Sequence, residues 1–99
     1  MQEDILKVIN MTYQLLDFFP DSDPLKYKAK ERTLLILENA TLISDARGWA
    51  SLKKEKAGLE LIDDISVLEG YLMLGKCQGW INDINFLILK KEYDNIKNK

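Results

Sequence analysis

Between two apolar stretches the chain carries Phe18-Phe19-Pro20-Asp21-Ser22-Asp23-Pro24-Leu25, a segment that ends one helix and starts another within a few residues. Pro20 has no N–H with which to continue a helix, and its ring pushes Phe19 out of helical geometry. Asp23 suits an N-cap, its carboxylate accepting from the backbone N–H groups two and three residues on. Pro24 then takes the first helical position, where its missing N–H costs nothing. Such punctuation implies a bundle of helices joined by tight turns.

Length and composition fit one domain of this kind. At 99 residues, 46% of them hydrophobic, the chain is expected to bury roughly 60–70% of its unfolded surface. Cys77 is the single cysteine. It excludes a disulfide within the chain and a cysteine-cluster zinc site, and it fits a reducing compartment. Histidine is absent, which removes Ser-His and Cys-His nucleophile pairs, Glu-x-x-His di-iron sites and the usual general base at neutral pH. The opening Met-Gln-Glu-Asp-Ile is acidic where a signal peptide is basic and apolar. No apolar run approaches the ~20 residues that span a bilayer. The expectation is a soluble, cytoplasmic protein with no cofactor and no membrane partner.

Hydrophobic spacing predicts four helices. Ile5, Ile9, Thr12, Leu16 and Phe19 step by four and three on a first helix from about Glu3 to Phe18. A second helix should run from Pro24 to about Asp45, with Leu25, Ala29, Ile36 and Ile43 on one line that Arg32 interrupts. A strand is the rival for Thr33–Leu37, against which the Lys/Glu/Ala-rich flanks weigh. Residues 46–56 have little apolar periodicity and read mostly as a connection, with a third helix from near Lys54. There Leu61, Ile65, Leu68, Leu72 and Gly75 form a bundle seam, and Val67, Tyr71 and Leu74 a second stripe rotated away from it. Gly79 suits a C-terminal cap and Asn82 the next N-cap, with Phe86, Leu89, Tyr93 and Ile96 facing inward on a fourth helix. The expected fold is all-α, an antiparallel up-down-up-down four-helix bundle spanning residues 1–99.

The second and third helices are more apolar than one seam requires. Leu34, Leu35, Leu37 and Leu42 cannot share a face, and neither can Leu68 and Leu72 with Val67, Tyr71 and Leu74. A wide core helix flanked by two neighbours uses some of this surplus. Self-association uses more, because each extra Leu or Val buried gains roughly 1.5–3 kcal/mol.

Three constellations are candidates for chemistry. Glu60-x-x-Asp63, with Glu31, Glu38 and Asp64, has the carboxylates of a magnesium site for nucleotide hydrolysis but lacks a dense Glu-Glu-x-x-Glu pattern. Solvated faces that pair with lysines account for the same residues. Cys77, in Gly-Lys-Cys-Gln-Gly, has only Lys76 to lower its pKa and reads as structural. The third is a segregation of charge hidden by the formal net of −2: Lys26, Lys28, Lys30 and Arg32 form one basic stretch. Arg47, Lys53, Lys54 and Lys56, with Trp49, form another. Cations meet phosphates and an exposed indole stacks on an unpaired base, so these nine residues are the candidate nucleic-acid or partner contacts. Solubilising lysines and a Trp packed back on the bundle are the alternative for a chain of this net charge.

Two blocks carry a family resemblance. The first is Phe19-Pro20-Asp21-Ser22-Asp23-Pro24-Leu25-Lys26-Tyr27-Lys28 with Ala29-Lys30-Glu31. The second comprises Ile65-Ser66-Val67-Leu68-Glu69-Gly70-Tyr71, Cys77-Gln78-Gly79-Trp80-Ile81-Asn82, Phe86-Leu87 and Glu92-Tyr93. Together they resemble four-helix-bundle proteins related to the accessory variability determinant (Avd) of diversity-generating retroelements, a group similar to the ribosomal-RNA intervening-sequence proteins. The resemblance implies a homopentameric barrel without enzymatic activity. It would partner a reverse transcriptase and its template RNA in error-prone cDNA synthesis, through basic side chains on the barrel surface. Only Lys26, Lys28, Lys30, Arg32, Arg47, Lys53, Lys54 and Lys56 could correspond to those. The chain lacks the strongly basic character of the accessory proteins, which favours docking to a basic polymerase through an acidic Glu60–Glu69 face. The function expected is an accessory subunit of such a retroelement. The alternative is an oligomeric scaffold of a mobile element or phage with no nucleic-acid role.

Overall fold

The computed structural model describes residues 2–44 and 51–98, and the side chains of 4–44 and 52–98. Four helices make up most of these: α1 Gln2–Leu16, α2 Pro24–Ser44, α3 Ser51–Cys77 and α4 Asp83–Lys97. Among the described residues there is no strand, and the Thr33–Leu37 run lies inside α2.

The turns follow from the residues at helix ends. α1 stops at Leu16 rather than Phe18, because Phe18 and Phe19 N–H bond to Leu15 and Leu16 O at 3.1 and 3.0 Å in a tighter winding. Asp23 caps α2, its Oδ1 accepting from Leu25 N–H at 2.9 Å. α3 begins at Ser51, three residues before the expected Lys54. Its first turns are rich in Leu, Lys and Glu, which form helix well without an inward stripe. Weak apolar periodicity there marks exposure, not a loop. The rest of the expected connection, residues 46–50, lies outside the described residues.

α3 ends in a Schellman motif. Gly79 adopts φ +82°, which glycine reaches without steric cost. Its N–H bonds to Lys76 O at 2.9 Å, and Trp80 N–H reaches Gly75 O at 3.0 Å. Asn82 then caps α4, its side chain accepting from Asn85 N–H at 2.8 Å.

α1 and α3 each pack against both α2 and α4, and the α2–α3 contact is the most extensive. Every member of the predicted first stripe and of the α3 seam is buried: Ile5, Ile9, Thr12, Leu16 and Phe19, then Leu61, Ile65, Leu68, Leu72 and Gly75. On α2 and α4, Leu25, Ala29, Ile36, Phe86, Leu89 and Tyr93 are buried, and Ile43 and Ile96 are half-buried at the rim. Phe19 ties the two short turns together. Its ring occupies the space a Cβ on Gly75 would need, and its centroid is 5.1 Å from that of Trp80.

One polar pair lies inside the core. Thr12 Oγ1 donates to Val8 O at 2.8 Å and sits 2.5 Å from the Tyr93 hydroxyl. A threonine has one hydroxyl proton, already committed to Val8, so Tyr93 O–H donates to Thr12. Burial raises the Tyr93 pKa, and the phenol stays protonated. The bond joins α1 to α4 and satisfies both hydroxyls, whose burial would otherwise be costly.

Candidate nucleic-acid and partner interface

Three of the basic side chains on α2 are engaged within the molecule. Lys26 is buried, and its Nζ is 2.5 Å from Asp21 Oδ1. The hydrogen bond to Asp21 raises the Lys26 pKa and lowers that of Asp21. Lys30 Nζ lies 3.5 Å from Asp17 and 5.3 Å from the Tyr13 ring centroid. Lys26 and Lys30 thus line the corner between α1 and α2. Arg32 points toward α3, where its Nη1 meets Asp64 Oδ1 at 2.8 Å and its pKa is raised by that hydrogen bond. Asn39 Nδ2 supplies the other Asp64 oxygen with a hydrogen bond at 3.0 Å. Asp64 and Asn39 are both buried.

Lys28 is exposed, as are Lys53 and Lys56, while Lys54 is half-buried. Lys56 Nζ is 4.0 Å from Glu60, one turn on. The two basic stretches do not merge. About 24 Å of helix separates Lys28 from the end of α2, and the lysines of α3 come after that end. Arg47 and Trp49 lie outside the described residues.

The acidic segment of α3 is divided between surface and interior. Glu60 and Asp63 are exposed, but Asp64 turns inward to Arg32 and Glu69 turns toward α4. Glu69 Oε1 accepts from Lys97 Nζ at 2.8 Å, and Lys90 Nζ stands 4.0 Å from Oε2. Lys90 and Lys97 also reach Asp94, at 2.8 and 3.5 Å. Burial first, and the nearby Asp94 second, hold the Glu69 carboxyl above its ordinary pKa. Asp94 is driven down to about 2, by Glu69 and then by Lys90. Glu69 Oε2 is buried with no hydrogen-bond partner. Among the described residues, no group of three or more acidic or cysteine side chains is placed to hold a metal ion. Cys77 is an exposed thiol.

The surplus apolar residues do reach the surface. Leu34, Leu35 and Leu42 on α2 are exposed, as are Val67 and Leu74 on α3, while Leu37 and Tyr71 are half-buried. The sequence reasoning missed a further set: Leu52, Leu59, Ile62 and Met73 on α3, and Ile84, Leu87 and Ile88 on α4. Ile84 and Ile88 stand one turn apart, off the inward line of Phe86, Leu89 and Tyr93, which is the signal that could have found them. With Met11, Gln14, Leu15, Phe18 and Asn85, Ile88 lines a groove of about 250 Å³. Arg32–Asp64 was also within reach, since each opposite charge sits on or beside a core line of its helix. No helix among the described residues is long and apolar enough to cross a membrane.

Comparison of the chain with models of protein families, with curated proteins and with solved structures finds no match in any of the three.

Proposed function

We propose that this chain is a non-enzymatic, cytoplasmic, homo-oligomeric accessory subunit of a diversity-generating retroelement, binding the reverse transcriptase and its template RNA. The observation that carries the reading is the extent of apolar side chain on the outward faces of α2, α3 and α4. An isolated bundle of this size has no use for them, and an assembling one does. The Avd-like resemblance supplies the identity of the partners and the number five. Phe19 reaching Gly75 and Trp80 supports the up-down-up-down topology expected from the helix spacing and short turns, because it sets both short turns at one end.

Lys28, Lys53, Lys54 and Lys56 are the cations of the described surface through which RNA would be held, with Arg47 and Trp49 between them in sequence. Repetition around an oligomer multiplies such a patch, since counterion release adds over every phosphate neutralised. The engagement of Lys26, Lys30 and Arg32 inside the molecule favours a second reading, a protein-interaction scaffold without nucleic acid.

Purified protein titrated against single-stranded RNA at increasing salt separates the two. Binding that weakens steeply with salt, and weakens further in a Lys28→Glu/Lys56→Glu variant, supports RNA contact. Absence of binding at low salt, together with co-purification of a reverse transcriptase, leaves docking to the polymerase. Absence of both overturns the accessory reading.

A further inference from the structure

The outward face of α3 between Ser66 and Cys77 is unlike every other outward face of the described bundle. At 100° per residue its centre is Gly70, flanked by Ser66, Val67, Met73, Leu74 and Cys77. All six are exposed and none is charged. The corresponding face of α2 carries Glu31 and Glu38, that of α4 carries Lys91, and that of α1 carries Lys7, all exposed. Gly70 also has no explanation among the described residues. A Cβ there would meet nothing within 4 Å, whereas one on Gly75 would collide with Phe19. A glycine in an exposed helix interior is destabilising, and it is useful where another backbone must approach closely.

From these observations we infer that this face of α3 packs on the same face of a second copy, the two helices crossing at Gly70 about a two-fold axis. Charge selects the occupant. A face without charge can meet itself, while the α2 face would set glutamates against glutamates. It also selects the antiparallel crossing. Exposed Asp63 lies one heptad before Gly70, so antiparallel helices hold the two Asp63 carboxylates about 21 Å apart. That exceeds the screening length of roughly 8–10 Å at physiological salt. A parallel crossing would bring them together. Val67 and Leu74, one turn either side of Gly70, then lie over each other's counterparts, and the glycine gives the backbones room.

A two-fold contact cannot close a five-membered ring, so it pairs single chains or whole rings. Mass by light scattering after size exclusion therefore separates this contact from the pentamer proposed above. Two or ten chains support the contact, two without the ring and ten with it, and one or five overturn it. Val67→Cys/Leu74→Cys in a Cys77→Ser background gives the local test, since each Val67 lies over the second copy's Leu74 and Gly70 is left unchanged. Mild oxidation should yield a covalent dimer, and an Asp63→Cys control in the same background should not. Failure of Val67→Cys/Leu74→Cys to cross-link, or equal cross-linking by the control, overturns the inference. Gly70→Ala should raise the thermal midpoint of the dissociated chain while weakening association at least tenfold; unchanged association overturns the crossing point.

Discussion

Gly70 and Gly75 stand on opposite sides of α3, and their surroundings differ in every respect. Gly75 is buried, and the Phe19 ring fills the place of its missing side chain. Gly70 looks out into open space among uncharged residues. Similar apolar residue types serve both faces, with Leu68 and Leu72 inside and Val67 and Leu74 outside. Apolar content alone therefore does not distinguish a core from a docking surface. What distinguishes them is whether the chain itself provides the other half. Inside, α1, α2 and α4 do so; outside, nothing among the described residues does.

The contrast can be broken most forcefully from the inner side. Leu72→Ala, at a fully buried position, should cost about 2–5 kcal/mol through lost burial and the cavity left behind. The urea midpoint would show it, and Leu74→Ala on the outer face should move the midpoint of the dissociated chain far less. Gly75→Ala should cost about 1–3 kcal/mol, since the added methyl must displace Phe19 from between the two turns. The loss should be accompanied by a change in the near-ultraviolet signal of Trp80. Gly70→Ala should have the opposite sign, gaining up to about 1 kcal/mol in the same urea experiment on the dissociated chain. A loss at Gly70 as large as that at Gly75 would erase the difference between the faces.

The smallest effect is expected from pH, at the α3–α4 contact between the two faces. Glu69 is raised above 4.5 in the fold, so the folded state binds its proton more tightly than the unfolded chain does, and acidification through that range should add stability. Asp94 is lowered from 3.8 to about 2, so its contribution is lost as pH falls between those values. Stability should therefore rise slightly and then fall on acidification, and Glu69→Gln should remove the rise. At the other extreme, Lys97 is raised above 10.5, chiefly by its bond to Glu69. Its contribution is complete below 10.5 and is lost as pH climbs through the raised value. Urea midpoints across the pH range, in wild type and Glu69→Gln, test both limbs.

Much of the inner face was legible from spacing alone. The stripes of α1 and α3, the Asp23-Pro24 start and the Gly79-Trp80-Ile81-Asn82 turn depend on neighbours within a few residues, so a linear reading finds them. The candidate contacts were less legible. Lys26, Lys30 and Arg32 read as one basic run, but their partners Asp21, Asp17 and Asp64 are found by folding, and the most distant lies 32 residues away. Glu69 and Asp64 likewise read as part of an acidic face until α4 and α2 supplied their cations.

By itself the sequence determined that the chain is helical, where most of its helices start and stop, and which stripes turn inward. Those are properties of proline geometry, capping and a 3.6-residue period. Only the tertiary structure decided which charges are spent within the molecule, that Thr12 and Tyr93 share a proton-bearing contact across the core, and which glycine is filled. Each of those depends on pairs of groups brought together by packing from distant parts of the chain, and no local pattern encodes such a pairing.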